Sequence, residues 1–410
     1  MSRKYLVMLF VMILSACEKT PDTNEVILKY YGDAYEDIGY SVAKVENGYV
    51  IAGQLTEIKR DVSNYITGSV KRFGVIKTSS DGNMIGERII LGDSITAIAS
   101  KVLALTDGSI ICTGYVNSTK TQQDILVVKL DNKGKVLLQK IFSSDGNQYG
   151  TDIIKTQEGF LILGTTDKKR EPSTDFTGNA AGKKDILLVR INENLESVGL
   201  PVATGFIGND EGKVLRNDIN GGYIVVGTTD RSDKPKSEQA GNNIFLLRVN
   251  ADFSATQFRI LGGVKDEYAA DIEVLSDGYF VAGTIGNDGD EQSGYVWSIS
   301  SNINAGPVSE HAIDIEPSLT AKSSFSLKAI CRYKINSYLM AGQYGTGSSA
   351  RMLVFSTDAD GNFVEGKLKV EGGTGSQVAY DIISDGDDII AVGKNSYENN
   401  SMISLLKFRF

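Results

Sequence analysis

The chain of 410 residues has one histidine, one tryptophan and three cysteines. The scarcity of histidine and cysteine argues against two classes of site. His311 has no nucleophile-elbow sequence beside it, so no serine, histidine and aspartate arrangement for catalysis is evident. Cys112 and Cys331 are separated by 219 residues and lack neighbouring ligands, so we expect free buried thiols and no zinc or other metal. No cofactor motif and no catalytic residue is identified.

Proline is also scarce, and the 42 basic residues are outnumbered by 51 acidic ones. The formal net charge of -9 and the pI near 5.0 argue against a nucleic-acid partner, because phosphate binding needs a positive field. With 41% hydrophobic residues, 44 glycines and six prolines, the chain is expected to be globular and rich in turns.

The amino terminus has the pattern of a targeting signal. Arg3 and Lys4 precede the apolar run 5–13, and the tetrapeptide Leu-Ser-Ala-Cys ends at Cys17. This tetrapeptide resembles the lipobox of bacterial lipoproteins, which implies a signal peptide over 1–16, lipidation of Cys17 and a tether over 17–24. The chain would then be held at the outer membrane by its lipid, on a side that the residues do not determine. The alternative is an ordinary secretory signal with an incidental cysteine.

One apolar phrase returns along the whole chain at intervals of 61, 50, 63, 56, 59 and 51 residues. Its first copy is Gly-Tyr-Val-Ile-Ala-Gly at 48–53, and we expect its final glycine to mark a bend where the chain leaves a sheet. A period of this size indicates a repeat architecture. The seven copies end at Gly53, Gly114, Gly164, Gly227, Gly283, Gly342 and Gly393.

Each period carries four strand-like segments and no helical periodicity. The phrase follows a short strand and precedes a hairpin, as in 124–142, whose turn contains Asp131, Asn132 and Gly134. Four antiparallel strands repeated seven times predict an all-β fold, a seven-bladed β-propeller over 25–410. The phrase would be the second strand of each blade, continuously apolar because neighbouring blades cover both of its faces.

The two ends of the chain predict how the ring closes. The last copy stops at 402–410, a third strand with no fourth, whereas 24–33 reads as a fourth strand without its blade. We therefore expect the first strand to complete the last blade, with Ile27 close to Leu405, which removes two exposed sheet edges.

The consensus of the copies is GG..D.A.DI....DGY.VAGT......D.LL.R.D..G. It lacks the Trp-Asp dipeptide of WD repeats and the Gly-Gly doublet of kelch repeats. It resembles the Gly/Asp-rich propeller repeats of lipoproteins from Bacteroidota and related Gram-negative bacteria, a resemblance that implies a scaffold and no particular activity.

Repeated acids raise the question of catalysis. Asp152, Asp271 and Asp381 occupy one position of the repeat, before isoleucine. Paired carboxylates at a propeller axis can hydrolyse glycosides. We expect these three acids to bond backbone amides of the scaffold instead, since a catalytic acid usually breaks a repeat. Other Asp and Gly residues, as in 356–363 and 79–84, suit tight turns better than an aspartate box or a calcium loop.

Polar insertions after the second strand are the main candidates for recognition, because loops on a rigid scaffold carry binding residues. The longest span 54–72, 165–184 and 228–243. The alternative is neutral drift of exposed loops. The candidate binding residues are Tyr65, Lys71, Arg72, Lys169, Arg170, Phe176, Arg231 and Lys234.

Three functions follow from these patterns. The leading hypothesis is a lipid-anchored, non-catalytic propeller that binds a partner protein of the cell envelope. The second is a glycan-binding accessory lipoprotein of a nutrient-uptake system, which would need aromatic platforms at the axial funnel. The third is a hydrolase or lyase with acids near the axis.

Overall fold

The computed structural model describes 26–32, 35–92, 95–119, 122–168, 184–206, 208–230, 241–286, 291–315, 324–373, 375–397 and 400–410. These residues form seven antiparallel sheets of four strands each, arranged as a ring of blades. The first strands of neighbouring sheets contact one another around the axis. The predicted seven-bladed β-propeller is confirmed.

The strands follow chain order, and within the described residues the only helices are single 3₁₀ turns at Ile303–Ala305 and Gly347–Ser349. Blade 1 contains β2 (Ile38–Val45), β3 (Gly48–Arg60), β4 (Ile66–Ser79) and β5 (Ile89–Leu91). Blade 2 contains β6 (Ala97–Ala104), β7 (Ile110–Thr119), β8 (Gln122–Leu130) and β9 (Val136–Phe142). Blade 3 contains β10 (Gln148–Thr156), β11 (Gly159–Thr166), β12 (Asp185–Ile191) and β13 (Val202–Thr204). Blade 4 contains β14 (Asp210–Asn217), β15 (Tyr223–Thr229), β16 (Asn243–Val249) and β17 (Ala255–Leu261).

The remaining blades have the same order of strands. Blade 5 contains β18 (Glu267–Val274), β19 (Gly278–Ile285), β20 (Ser293–Ser300) and β21 (Pro307–Ala312). Blade 6 contains β22 (Phe325–Arg332), β23 (Ser337–Tyr344), β24 (Arg351–Asp358) and β25 (Phe363–Glu371). Blade 7 contains β26 (Gln377–Asp385), β27 (Asp388–Tyr397), β28 (Asn400–Phe408) and the N-terminal strand β1 (Ile27–Tyr31).

Pairing of β1 with β28 closes the ring. The register runs from Ile27 opposite Lys407 to Tyr31 opposite Ile403, with Lys29 opposite Leu405. The predicted closure is therefore confirmed. Because β1 covers the outer edge of β28, the last blade has the same four strands as the others.

The core is divided among the contacts between blades. Seven clusters of buried apolar side chains fill the seven interfaces between neighbouring sheets. In β3, Val50 and Ala52 face blade 2, whereas Tyr49 and Ile51 face blade 7. Side chains of a strand alternate between faces, so a strand covered on both faces is apolar throughout. This burial explains the repeated phrase.

The glycine that ends each phrase has a different role from the one expected. Gly53 lies inside β3, opposite Gly39 of β2, and the two-strand ladder continues beyond it. A Cβ atom on Gly53 would lie 1.9 Å from the carbonyl oxygen of Ile38, and one on Gly393 would lie 1.8 Å from that of Val378. The prediction of a bend at this glycine is wrong. Glycine is required because the backbone of the innermost strand comes too close for any side chain.

The hairpin turns agree with the sequence. In blade 2 the side chain of Asp131 accepts hydrogen bonds from the backbone amides of Lys133 and Lys135, both at 2.8 Å. Gly134 has φ 93° and Gly361, in the equivalent turn of blade 6, has φ 90°. Asp and Gly therefore shape tight turns, as predicted. Cys112 and Cys331 are free thiols, also as predicted.

Candidate functional site

The axial channel is built on a β-bulge that recurs in every innermost strand. The register of each innermost strand slips by one residue at the same place, which leaves one residue without a cross-strand partner. A bulge re-aims the side chains beside it. We call these seven residues the bulge ring. In blade order they are Tyr40, Ser100, Thr151, Lys213, Ala270, Lys328 and Tyr380.

The residue after the bulge joins neighbouring blades. Asp152 accepts a hydrogen bond from the amide of Leu215 in blade 4 at 2.9 Å. Asp271 accepts one from blade 6 at 3.3 Å, and Asp381 accepts one from Val42 in blade 1 at 3.0 Å. The expectation that these acids bond scaffold amides is confirmed. Each acid thus gives a backbone amide of the next blade a hydrogen-bond partner.

Two cations pair with these acids inside the channel. Arg216 contacts Asp152 at 3.1 Å and Asp271 at 2.8 Å, and the ammonium of Lys101 lies 3.2 Å from Asp381. Burial raises the pKa of the Asp271 carboxyl, and the Arg216 charge opposes that rise. Removal of either cation would leave a buried carboxylate unpaired, which is costly. These three acids and two bases form a paired network.

Lys213 is a charged member of the bulge ring. Its side chain is exposed inside the channel, and within the described part of the chain it has no ion pair. Its pKa is lowered, first because the surrounding protein displaces water from the ammonium, with further repulsion from Lys101. Acids of blades 3, 5 and 7 also act on this charge. Its place at the bulge of β14, the innermost strand of blade 4, puts Lys213 at the axis.

Tyrosines occupy the opposite side of the channel mouth. The rings of Tyr40 and Tyr380 are in contact, with centroids 5.3 Å apart, and those of Tyr115 and Tyr149 lie 6.1 Å apart. Together these four half-buried residues form a tyrosine arc over blades 7, 1, 2 and 3. Burial raises the pKa of all four hydroxyls, so they remain protonated donors at neutral pH.

An extended hairpin stands beside this mouth. The segment 54–72, expected as a loop, is mostly regular ladder, since β3 and β4 pair from Gly48 opposite Ser79 to Arg60 opposite Ile66. We call residues 55–72 the blade 1 arm. Six residues beyond Gln54 correspond to about 20 Å of strand at about 3.3 Å per residue. The expectation of an irregular loop is therefore wrong, because alternating cross-strand pairs continue the sheet.

The tip of the arm is ordered and apolar. The Asp61 carboxylate accepts hydrogen bonds from the amides of Ser63 and Tyr65, both at 2.9 Å. The exposed fractions are 107% for Val62, 72% for Tyr65 and 51% for Ile66. The predicted binding residue Tyr65 therefore lies at the outermost end of the arm.

The base of the arm is held by polar contacts. Arg72 is buried, with its Nε 2.7 Å from Glu57 and its Nη1 donating to the carbonyl of Gly92 at 2.7 Å. Lys71 is partly exposed and pairs with Glu36 at 2.6 Å. Of the two cations predicted here for binding, Lys71 faces solvent and Arg72 supports the arm.

The other predicted binding residues lie outside the described residues. These are Cys17, Lys169, Arg170, Phe176, Arg231 and Lys234. The bulge ring and the tyrosine arc were missed by sequence reasoning. The available signal was the repeat position before that of the repeated Asp, where large residues replace the small ones of blades 2, 3 and 5: Tyr40, Lys213, Lys328 and Tyr380.

The described residues contain neither a metal-binding cluster nor a membrane-spanning helix. No group of three or more His, Cys, Asp or Glu side chains there could hold a metal ion. His311 lies in β21, and its Nε2 is buried without a hydrogen-bond partner among those residues. Among the same residues, no helix has the length and hydrophobicity of a membrane span.

The fold and the channel define a β-propeller with a charged, tyrosine-bordered axis. No protein-family model and no curated protein sequence matches the chain. Among solved structures, a puromycin hydrolase is 11% identical with a TM-score of 0.51, over 91% of this chain and 52% of that one. This chain therefore spans about half the length of that hydrolase, and the likeness shows the fold alone.

Two further structures are similar at lower scores. The GH93 α-L-arabinofuranosidase of Fusarium graminearum is 11% identical, with a TM-score of 0.47 over 93% of this chain and 98% of that one. A protein of unknown function from Bacteroides caccae is 12% identical, with a TM-score of 0.36 over 68% of this chain and 94% of that one. At these scores neither carries an argument about function.

The prediction that the chain is not an enzyme needs correction. The puromycin hydrolase contains the same fold, so a propeller of this kind is compatible with hydrolysis and cannot support the exclusion of catalysis. The physical reason is that activity depends on side chains grafted on the scaffold. At 11% identity the likeness assigns no catalytic residue to this chain.

Proposed function

We propose that this chain is a cell-envelope propeller that binds a partner protein through the blade 1 arm. The single observation that carries the proposal is the tip, where Val62, Tyr65 and Ile66 are exposed at the end of an ordered hairpin. One exposed apolar residue is ordinary, but a cluster on a projecting element is typical of a contact surface.

The arm is pre-organised for binding. Its base is joined to the segment before β2, where Asp37 accepts a hydrogen bond from the amide of Thr56 at 2.6 Å. Gln54 and Thr56 also donate to the carbonyl of Glu36, at 2.6 and 2.7 Å. A hairpin already fixed in one conformation loses little entropy when a partner binds.

The proposed location is the outer membrane. The signal-like segment 1–16 and the lipobox-like sequence at Cys17 support lipidation, and the repeats resemble those of Bacteroidota lipoproteins. A tether over 17–24 would hold the propeller near the membrane, so the partner would be another envelope protein. Multiple acyl chains give stable anchoring, at about 0.8 kcal/mol for each buried methylene.

Site-specific photo-crosslinking in intact cells tests the arm. A photoreactive residue is placed at Tyr65 and, as the matched control, at Leu200, which is 87% exposed in the connection between β12 and β13 at the opposite face. We expect a discrete protein adduct from position 65 that Val62→Ser with Ile66→Ser abolishes. Equal adducts from both positions, or none from position 65, would contradict the proposal.

Carbohydrate capture at the axial mouth is a second candidate. It is supported by the tyrosine arc, because tyrosine combines an apolar face for sugar C–H groups with a hydroxyl that hydrogen-bonds. Tyr49, Tyr279 and Tyr338 are buried in second strands, and therefore do not contribute. Binding of methyl glucosides that Tyr380→Ala weakens, while Tyr65→Ala does not, tests this candidate.

A further inference from the structure

The channel mouth has two chemically different sides. Tyr40 in blade 1 and Tyr380 in blade 7 are neighbours, whereas Lys213 belongs to blade 4. In a ring of seven blades, blade 4 lies opposite the interface between blades 7 and 1. A ligand at the mouth would therefore meet aromatic rings on one side and an ammonium on the other.

Three of the residues between these two sides are small. The bulge ring has Ser100, Thr151 and Ala270 in blades 2, 3 and 5. Thr151 is occupied by hydrogen bonds to the carbonyls of Leu163 and Gly212, at 3.2 and 3.0 Å. The ring is completed by the tyrosines in blades 7 and 1, by Lys213 in blade 4 and by Lys328 in blade 6.

The acids below the ring form no direct ion pair with Lys213 among the described residues. Asp152 and Asp271 share Arg216, and Asp381 pairs with Lys101. Each of the three also accepts a hydrogen bond from a backbone amide of the next blade. Three carboxylates face two cations here, so the acids also act on the charge of Lys213, but none of them forms an ion pair with its ammonium among the described residues. The ammonium of Lys213 is therefore available to pair directly with a carboxylate from solution.

We propose that the axial mouth binds an acidic sugar, a pyranose whose carboxylate pairs with Lys213 and whose C–H face packs on Tyr40 and Tyr380. This inference rests on carbohydrate capture, the second candidate above, and names its ligand class. The half-buried hydroxyls of the tyrosine arc donate to the sugar hydroxyls. A neutral sugar lacks the ion pair, and a small carboxylate lacks the ring contact.

Isothermal titration calorimetry of the whole propeller with four probes tests the proposal. The probes are methyl glucuronide, methyl glucoside, acetate and benzoate. We expect methyl glucuronide to bind at least tenfold more tightly than any other probe. Lys213→Met should remove this preference, and Tyr380→Ala should weaken binding of both sugars. Lys213→Met breaks no ion pair of the described residues, so the variant is expected to fold.

Matched variants and the alternative outcomes separate the two levels of the proposal. Lys140→Met, an exposed lysine of β9, and Tyr65→Ala should leave binding unchanged. Equal binding of glucoside and glucuronide would overturn the acidic class and keep carbohydrate capture. Equal binding of acetate or benzoate would replace it with a simple anion site, and no binding of either sugar would overturn both.

Discussion

A buried acid at the start of β18 shows how one residue sets a pH dependence. Glu267 is 2% exposed, and burial raises the pKa of its carboxyl to about 7. One carboxylate oxygen accepts a hydrogen bond from the backbone amide of Gly263 at 2.9 Å, while the other oxygen has no hydrogen-bond partner among the described residues. Gln148 and Gln377 occupy the equivalent position in blades 3 and 7. A glutamine side chain therefore fits this position of the repeat.

Glu267→Gln should make the protein more stable above pH 7. The carboxyl of the folded protein has a raised pKa, so its contribution is fully present below pH 4.5 and is lost as pH rises through about 7. At about 1.4 kcal/mol per pKa unit, a rise from 4.5 to about 7 means that the variant should gain about 3.5 kcal/mol at pH 8 and almost nothing at pH 4. Urea unfolding across this range measures the difference. A variant that is less stable than the parent at pH 8 would contradict the assignment.

At the scale of the element, the bulge and the repeated glycine form one unit. Beside the bulge, a carbonyl oxygen of the innermost strand comes close to the second strand, and the glycine opposite leaves room for it. The same pairing occurs in the other blades, for example at Gly342, where a Cβ would lie 1.9 Å from the carbonyl oxygen of Ser326. This geometry, repeated from blade to blade, orients the side chains of the channel.

Gly393→Ala should destabilise the protein strongly. Its Cβ would lie 1.8 Å from the carbonyl oxygen of Val378, so the bulge must shift, and overpacking of this kind costs about 1 to 3 kcal/mol or more. Gly68→Ala in the arm is the control, since a Cβ there meets nothing within 4 Å. Chemical unfolding should show a loss for the first variant and no loss for the second. Equal stability of the two would refute the steric explanation.

The site could be predicted only in part at this scale. The repeated Asp, with its bond to the next blade, followed from its place in the copies. The tyrosine arc did not, because Tyr40 and Tyr380 are 340 residues apart and meet only when the ring closes. The regular arm was missed because its polar, charged composition resembles that of a loop, while its cross-strand pairing depends on the sheet below.

At the scale of the molecule, stability depends on a five-residue strand. β1 holds blade 7 together with blade 1, because Tyr31 belongs to the cluster between them and its hydroxyl donates to the carbonyl of Gly82 at 2.5 Å. Without β1, the edge of β28 is exposed and available to another chain.

A chain that begins at Gly32 should unfold at lower temperature and associate, compared with a control that begins at Val26. Loss of the buried Tyr31 side chain alone is expected to cost about 3 to 5 kcal/mol, by analogy with other large aromatics. Scanning calorimetry and size-exclusion chromatography measure the two effects. A synthetic peptide of residues 26–32 should restore the melting temperature. An unchanged, monomeric truncated chain would refute the closure.

The sequence by itself determined the number of blades, their strands and the closure by β1. These follow from alternation and length, which are local properties: a strand covered on both faces must be apolar wherever it occurs. Only the tertiary structure decided the role of the repeated glycines, the course of the arm and the contents of the channel. Ser41 and Asp381, for example, are 340 residues apart and hydrogen-bonded at 2.8 Å. Such neighbours arise from the bulges and from the circular order of blades, so no short stretch of sequence contains them.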